Sequence, residues 1–371
     1  MKPDNNDCAK DIHALEEELF CLTVENKWLR KELEKARKRA EAAETSYATI
    51  ENSKFWKITG PARTVFDRMK GVQKAEITDI SRAYEEKLVI DDKYIYKKRY
   101  KLEDEPKISI IIPNCDHIED LRKCLKSIEE KSTYANYEIV VVENNSKDDA
   151  TFEYYRQLEI EYSNIKVVYW PGEFNFAAIN NYGVKEAAAG EHILLMNNDT
   201  EVITPDWMQE MLIFSQRSDV GAVGAMLYYP DGTIQHAGAR LDRELVAVHI
   251  YCRADKDDDK CRDKLCYARA VSAVTGACMM IRRDVWDIVG GMDEDFPVAF
   301  NDIDLCMKIR EKGYLIVWTP FAELYHYESK SRGRDDESDE KNIRLAVDQE
   351  RFKRRWRKEL DEGDPYCRER E

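Results

Sequence analysis

Hydrophobic residues recur at alternating steps of three and four along the first fifty positions of the chain. The repeat begins at Ile12 and continues through Leu15, Leu19, Leu22, Asn26, Leu29, Leu33, Ala36, Ala40, Ala43, Tyr47 and Ile50. This period predicts a coiled coil over residues 1–53. Asn26 falls at an a position, where a buried amide favours two parallel strands, and we therefore expect a homodimer through this segment. The alternative is a single charged helix packed on its own domain.

A connector follows the heptad segment and occupies residues 54–104. Gly60-Pro61 ends any helix that continues from the coiled coil. The adjacent pair Phe55-Trp56 is expected to dock either on the next domain or on a membrane face, and the sequence leaves both open.

From residue 105 the pattern changes to apolar, β-branched runs separated by helical stretches. Four runs predict strands, and they are Ile108–Ile112, Glu138–Val142, Ile165–Tyr169 and Ile193–Met196. Continuous apolar strands that alternate with helices indicate an α/β domain over residues 105–335, with a mostly parallel sheet covered on both faces. Ligands of such sheets bind beyond the carboxyl ends of the strands.

The net charge of the chain limits the classes of molecule that it is expected to bind. The 371 residues carry a formal charge of −15, which disfavours nucleic acid because a phosphate-binding surface needs a basic excess. One basic run, Arg351–Lys358, lies within a predicted C-terminal helical tail of residues 336–371. It is interpreted either as a solvated helix face or as an interfacial helix whose Phe and Trp contact lipid.

The cysteines and the apolar segments indicate in which cellular compartment we expect the protein. The ten cysteines contain no C-x-x-C pair, and Cys252, Cys261 and Cys266 lack the spacing of a zinc site. No apolar signal segment opens the sequence, and the apolar stretch Ala270–Ile281 is too short to span a bilayer. We therefore expect reduced thiols and a cytoplasmic location, with peripheral contact at the inner face of the cell membrane as an alternative.

Two acidic residues end different predicted elements of the α/β domain. Asp199 closes the run Asn197-Asn198-Asp199, and Asp302 lies further along in Asn301-Asp302-Ile303. A carboxylate at a strand end is suited to hold a divalent cation against a diphosphate. A second carboxylate in the same cleft is suited to accept a proton from a hydroxyl. A plain turn is the alternative for the first run.

The sequence contains neither G-x-G-x-x-G nor G-x-x-x-x-G-K-[ST], so a nucleotide would be held in another way. Glu143, at the end of the second strand, is a candidate acceptor for hydrogen bonds from a base or ribose, with Asn145 supporting the turn. The alternative is a simple Asx-type turn in which Ser146 caps the next helix.

Seven runs occur in order between residues 105 and 366. They are Ile108–Pro113, Glu143–Ser146, Phe174–Gly183, Leu195–Thr200, Val274–Cys278, Asn301–Cys306 and Glu323–Ser329. Together they resemble the family 2 glycosyltransferases of the GT-A fold, in particular the rhamnosyltransferase-like members that build bacterial surface polysaccharides. The resemblance implies a GT-A nucleotide-diphospho-sugar transferase fold. It also implies an inverting transfer from dTDP-rhamnose or a UDP-sugar to a glycan or lipid-linked glycan.

Individual roles follow from the same resemblance. It implies that Asp302 is the catalytic base and that Asp199 and His326 bind Mg2+ or Mn2+. The implied donor-binding residues are Pro113, Glu143, Asn145, Asn181, Gly183 and Asn198. The implied acceptor-binding residues are Gly276 and Asn301.

Three positions depart from the family pattern. Asn197 replaces the first acid of the D-x-D motif, and Asn301 replaces the glutamate that precedes the base. Phe352 stands at the glutamine position of Q-x-x-R-W, which Arg355-Trp356 otherwise match. We therefore favour single or few additions over processive synthesis.

Other functions and roles remain open. The two asparagine replacements leave room for a non-catalytic nucleotide-binding scaffold in a polysaccharide assembly complex. A nucleotidyltransferase is disfavoured, because Pro113–Asp116 is neither glycine-rich nor basic. Asp304 is expected to cap or pair structurally. His236 and His249 are candidate acceptor-site residues, with turn or core roles as the alternative.

Overall fold

The computed structural model describes residues 19–24, 27–28, 30–31, 102, 104–258, 261–328 and 339–366. The chain forms two compact units, one of Met1–Ile77, Asp335–Glu350 and Glu369–Glu371 and the other of Thr78–Arg334 and Arg351–Arg368. Within the first unit, residues 19–24 are helical and Lys27 Nζ lies 3.3 Å from Glu350 Oε2. Most heptad positions and nearly all of the 54–104 connector lie outside the described residues. The coiled coil and the homodimer therefore stay predictions.

Strands and helices alternate through the rest of the described chain. The strands are β1 (Ile108–Asn114), β2 (Tyr137–Glu143), β3 (Ile165–Tyr169), β4 (His192–Met196), β5 (Thr200–Val202), β6 (Val220–Tyr228), β7 (Ile234–His236), β8 (Ala239–Asp242), β9 (Val246–His249), β10 (Arg269–Val271), β11 (Cys278–Arg282) and β12 (Leu315–His326). The helices are α1 (Ile118–Lys131), α2 (Asp149–Glu161), α3 (Phe176–Ala187), α4 (Trp207–Ser215), α5 (Arg283–Val289), α6 (Asn301–Glu311), α7 (Asp339–Arg355) and α8 (Arg357–Glu362). A short 3-10 helix occupies Arg262–Leu265.

One side of the main sheet is parallel, as the apolar runs predict. Strands β3, β2, β1 and β4 lie side by side in that order, and every pair among them is parallel. Successive residues of β1 face opposite sides, because Ile110 and Ile112 belong to one buried cluster and Ile111 to the other. The four predicted strands are confirmed, and apolar packing covers both faces of this part.

The other side of the sheet is mixed and departs from the mostly parallel arrangement that we expected. The order continues from β4 through β11, β6 and β12 to β10. Strand β11 runs antiparallel to both β4 and β6, whereas β12 runs parallel to β6. Between β6 and β11 the described chain contains short strands and a 3-10 helix but no α-helix. For β11 to run parallel to β6, the chain would need a crossover connection between them, which is usually an α-helix.

The topology gathers the candidate residues at one edge of the sheet. The carboxyl ends of the parallel strands β1, β2 and β4 lead into the runs that begin at Asn114, Glu143 and Asn197. Strand β5 pairs antiparallel with the end of β12, so that Thr200 lies opposite His326. This edge is where parallel α/β sheets bind their ligands.

The C-terminal helices contribute to the core next to α6. Phe352, Trp356 and Leu360 are buried, and the ring centroid of Phe352 lies 6.2 Å from that of Phe296 and 6.0 Å from that of Phe300. The aromatic side chains of this segment are therefore not available for the lipid contact that one interpretation required. Peripheral membrane contact stays a prediction. None of the described helices is long and apolar enough to cross a membrane.

Candidate active site

Asp199 and His326 approach each other where β5 meets β12. Asp199 is buried, and its Oδ1 atom lies 3.2 Å from His326 Nε2. The strand pairing causes this approach, and the Tyr327 N–H reinforces it by donating to the Asp199 carbonyl at 2.9 Å. Asn197 Nδ2 lies 3.1 Å from the same His326 Nε2 atom. The structure thus brings together the two residues that the sequence implicated as metal ligands.

The atoms around His326 Nε2 fit a divalent cation. Mg2+ holds its ligands at about 2.0–2.1 Å, so two ligands at a right angle are roughly 3 Å apart. The 3.2 Å between Asp199 Oδ1 and His326 Nε2 is close to that spacing. Asn197 Oδ1 is buried and has no hydrogen-bond partner in the described part of the chain. No group of three His, Cys, Asp or Glu side chains suited to a metal occurs in the described ranges.

Asp302 lies across the turn Thr275–Ala277 from the Asp199 run. The Gly276 N–H donates to Asp302 Oδ2 at 3.0 Å, and the Asn197 N–H donates to the Ala277 carbonyl at 3.1 Å. Asp302 Oδ1 accepts from the N–H of Ile303 at 2.8 Å. Asp302 lies in the first turn of α6. Asp302 is partly exposed, so a substrate can reach it.

Asp304 pairs structurally, as expected, and connects α6 to the C-terminal helices. Its Oδ1 atom accepts from Trp356 Nε1 at 2.8 Å and from an Arg355 guanidinium nitrogen at 3.0 Å. Arg355 also lies 2.5 Å from Asp293 Oδ2. Burial raises the pKa of Asp304 above its usual value, although the bonds from Trp356 and Arg355 oppose the shift. The Arg-Trp pair of the C-terminal helices therefore holds the helix that carries Asp302.

Glu143 anchors a buried chain of hydrogen bonds. Its carboxylate accepts from Ser146 N at 2.5 Å, from Ser146 Oγ at 2.7 Å and from the Tyr155 hydroxyl at 2.6 Å. Asn114 Nδ2 donates to Tyr155 Oη at 2.7 Å, and Asn198 Nδ2 donates to Asn114 Oδ1 at 2.6 Å. The chain joins two implied donor residues, Glu143 and Asn198, through two residues that sequence reasoning missed. Burial raises the pKa of Tyr155, which keeps it a proton donor.

Residues 106–345 match the family model described as Glycosyltransferase like family 2. The chain belongs to this family. It is 44% identical over 275 residues to the uncharacterized protein y4gI of Sinorhizobium fredii and 36% identical over 241 residues to the O-antigen biosynthesis protein RfbC of Myxococcus xanthus. These matches cover 73% and 65% of this chain but 30% and 19% of the relatives. The chain therefore spans less than a third of either relative.

The fold is similar to that of a GT-A glycosyltransferase of known structure. The crystal structure of GalNAc-T7 with UDP, GalNAc and Mn2+ aligns with a TM-score of 0.57 and 15% sequence identity. The alignment covers 69% of this chain and 50% of that chain. At this identity the likeness establishes the α/β fold with its large mixed sheet and nothing finer.

Two of the implied donor residues of this family 2 glycosyltransferase have packing roles. Asn181 Nδ2 donates to the Met292 carbonyl and to Glu294 Oε1, each at 2.9 Å, while its Oδ1 accepts from Met292 N at 2.9 Å. A Cβ atom on Gly183 would lie 2.5 Å from Val142 Cγ2 and 2.9 Å from a methyl of Ile111. The donor role that the resemblance implies for both residues stays a prediction.

The other implied residues lie at or near the carboxyl edge. Asn145 is exposed, has a left-handed φ of 58° and donates to the Gly172 carbonyl at 2.8 Å. Pro113 stands next to Asn114 at the end of β1. The Asn301 amide donates to the carbonyls of Phe296 and Val298 at 3.2 and 3.1 Å, which holds the loop before α6.

His236 and His249 lie side by side, and His236 contacts the Thr275–Ala277 turn that binds Asp302. Their Nδ1 atoms lie 3.2 Å apart, and the Thr275 N–H donates to His236 Nε2 at 3.3 Å. Burial, followed by the neighbouring His249, His326 and Arg269, lowers the pKa of His236 well below its usual value. His236 is therefore a neutral core residue that supports the turn, which agrees with the core alternative.

Proposed function

We propose that the protein is an inverting glycosyltransferase that moves a sugar from a nucleotide-diphosphate donor to a hydroxyl of a glycan or lipid-linked glycan. The supporting observation is the arrangement of Asp199 with His326 on one side of the Thr275–Ala277 turn and of Asp302 on the other. Family membership and the name of the Myxococcus relative agree with polysaccharide synthesis. The alternative, a scaffold without chemistry, rests on the replacements at Asn197 and Asn301, whereas Asp302, Asp199 and His326 all match the family pattern.

Asp199 and His326 would hold Mg2+ or Mn2+ beside the donor diphosphate. Such a cation neutralises the charge that develops on a departing diphosphate. Imidazole is a softer ligand than carboxylate, so a site with one histidine favours Mn2+ over Mg2+. The Mn2+ in the GalNAc-T7 structure is consistent with this choice.

Asp302 would accept the proton of the acceptor hydroxyl. As the acceptor oxygen forms its bond to the anomeric carbon, the bond from that carbon to the diphosphate oxygen breaks, and the proton passes to the Asp302 carboxylate. A single displacement inverts the configuration and needs no covalent sugar-enzyme intermediate. The N–H groups of Gly276 and Ile303 each bind one carboxylate oxygen, which fixes the direction of the remaining lone pairs. General-base catalysis of this kind contributes about 10²–10⁴-fold.

The donor would lie over the ends of β1, β2 and β4. Asn198 and Glu143 belong to one rigid hydrogen-bonded chain there, and Pro113 and Asn145 border it. Asn181 and Gly183 are the other donor-side residues that the family resemblance implies, and both also make packing contacts. Gly276 and Asn301 flank Asp302, where the acceptor would enter. The candidate donors are dTDP-rhamnose and a UDP-sugar.

A donor panel followed by an Asp302→Asn variant tests the proposal. The protein is incubated with UDP-, dTDP- and GDP-sugars and Mn2+, and released nucleotide and transferred sugar are measured. With the active donor, Asp302→Asn should lower transfer by about 10²–10⁴-fold while donor binding persists. Asp149→Asn, which changes an exposed first-turn acid of α2, is the matched control. Turnover that survives in Asp302→Asn removes the base assignment, and activity that survives exhaustive chelation removes the metal.

A further inference from the structure

Gln235 is a buried polar residue of β7 that makes three contacts with the segment around His326. Its Oε1 atom lies 2.7 Å from His326 Nδ1. Its Nε2 atom lies 3.1 Å from Glu328 Oε2 and 3.3 Å from the His326 carbonyl oxygen. The side chain therefore binds both the ring and the backbone of one residue.

These contacts determine the orientation of the Gln235 amide, because they fix which position holds the oxygen and which the nitrogen. A carboxylate oxygen and a carbonyl oxygen are both acceptors, so the amide nitrogen must face them and the amide oxygen must face the ring. An amide oxygen cannot donate, so His326 Nδ1 must carry the hydrogen in the 2.7 Å contact. In the neutral ring the lone pair then lies on Nε2.

In the neutral ring the Nε2 lone pair accepts from Asn197 Nδ2 at 3.1 Å, a contact that a cation would replace, and it also faces Asp199. Asp199 Oδ1 lies 3.2 Å from it, and two lone pairs at that distance do not form a hydrogen bond. The arrangement suits a cation that accepts electrons from both atoms. Metal-bound histidines commonly donate their other N–H to an oxygen acceptor, which fixes the tautomer and the ring orientation.

We propose that Gln235 is a positioning residue that presents His326 Nε2 to a divalent cation. The inference rests on the proposed metal role of Asp199 and His326, and it adds a residue that no part of the sequence pattern indicated. Gln235 touches neither the cation nor the substrate. It acts by excluding the tautomer in which Nε2 carries hydrogen and by holding the ring against rotation.

The test measures Mn2+ binding by the full chain at pH 8, where imidazoles are largely neutral. Free Mn2+ is followed by electron paramagnetic resonance, with UDP and with dTDP present in separate titrations. Gln235→Leu should weaken Mn2+ binding about 10–100-fold. Gln216→Leu is the matched control, because Gln216 is the C-cap residue of α4 and its Nε2 atom donates to the Ile213 carbonyl at 3.2 Å.

A rescue variant separates positioning from folding. In Gln235→Glu combined with Glu328→Gln, a carboxylate still accepts from His326 Nδ1 and the new amide donates to that carboxylate. Mn2+ binding should return to within about threefold of the starting protein, as expected for a carboxylate–histidine pair. In protein labelled with 15N-histidine, the His326 ring should show the Nδ1–H tautomer in the starting and rescued chains and a mixture in Gln235→Leu.

The outcomes distinguish this inference from the proposed function. If Asp199→Ala and His326→Ala bind Mn2+ like the starting protein, the metal site itself is wrong. If those two variants lose Mn2+ while Gln235→Leu keeps it, the metal site stands and the role of Gln235 is refuted. An unchanged His326 tautomer in Gln235→Leu also refutes that role.

Discussion

The contact between Trp356 and Asp304 leads to the sharpest stability prediction. Asp304 is fully buried in the first turn of α6, two positions after Asp302, and it accepts from Trp356 Nε1 at 2.8 Å. Its Oδ2 atom has no hydrogen-bond partner among the described residues. Trp356→Phe removes one of the two donors that stabilise the carboxylate and leaves Arg355 as the other. The loss falls on a group that solvent cannot reach.

The expected magnitude has two parts. A hydrogen bond to a charged group contributes about 1.5–3 kcal/mol. Replacing an indole by a smaller ring in a packed core costs on the order of 1–2 kcal/mol through lost contacts and a cavity. Trp356→Phe should therefore lower the free energy of unfolding by about 3 kcal/mol or more. Because α6 carries Asp302, kcat should fall while the KM for the donor changes little.

A second tryptophan provides the control. Trp318 is fully buried in β12, and its Nε1 atom has no hydrogen-bond partner in the described part of the chain. Trp318→Phe should therefore cost the packing part and some of the cation–π contact with Arg269, which lies 4.7 Å from the ring centroid, but no hydrogen bond. Urea denaturation of both variants at neutral pH, with kcat and KM measured alongside, gives the comparison. If the two variants lose the same stability within about 0.5 kcal/mol, the hydrogen bond to Asp304 contributes nothing and the reasoning fails.

Two further predictions concern Glu138 in β2 and Gly183, the residue of α3 that packs on β1 and β2. Burial alone would raise the pKa of Glu138, but hydrogen bonds from Lys107, the Ala189 N–H, Ser109 and Lys166 bring it down to about 2, below its ordinary 4.5. A depressed pKa means that this stabilisation is complete above pH 4.5 and is lost as the pH falls toward 2. Glu138→Gln should therefore cost about 2 kcal/mol at pH 7, after allowance for the half-exposed lysines, and little at pH 2. Denaturation at the two pH values, with Glu130→Gln as an exposed control, checks this, and equal losses at both would contradict it. Gly183→Ala should cost about 1–3 kcal/mol, because its new methyl would overlap Val142 and Ile111. An unchanged urea midpoint together with weakened nucleotide binding would instead favour the donor role implied by the family.

The sequence predicted the parallel part of the fold well, because buried strands are visible as continuous apolar runs. It did not predict that β11 runs antiparallel, because the direction of a strand depends on the connection before it and not on its own composition. The apolar stretch Ala270–Ile281 looked like one segment, yet it supplies both β10 and β11. Periodicity alone does not reveal such a division.

The family resemblance supplied the candidate site residues. The Thr275–Ala277 turn connects the segments that carry Asp199 and Asp302. Asp199 lies beside His326, Asp302 is bonded to the Thr275–Ala277 turn, and Asp304 pairs as expected, whereas the catalytic and metal roles stay predictions. Gln235 was missed because its partner His326 is distant in sequence, and a glutamine beside a histidine is unremarkable in isolation. The burial of Phe352 and Trp356 was also missed, although two aromatic residues four positions apart on a helix indicate one apolar face.

The pairing of β5 with β12 has a consequence for how the protein matures. Asp199 precedes β5 and His326 ends β12, so the second half of the proposed cation site is synthesised well after the first and only with the last strand of the sheet. A nascent chain that has not yet delivered its last strand would hold an isolated aspartate with little affinity for the ion. Cation uptake would then report that the sheet has closed.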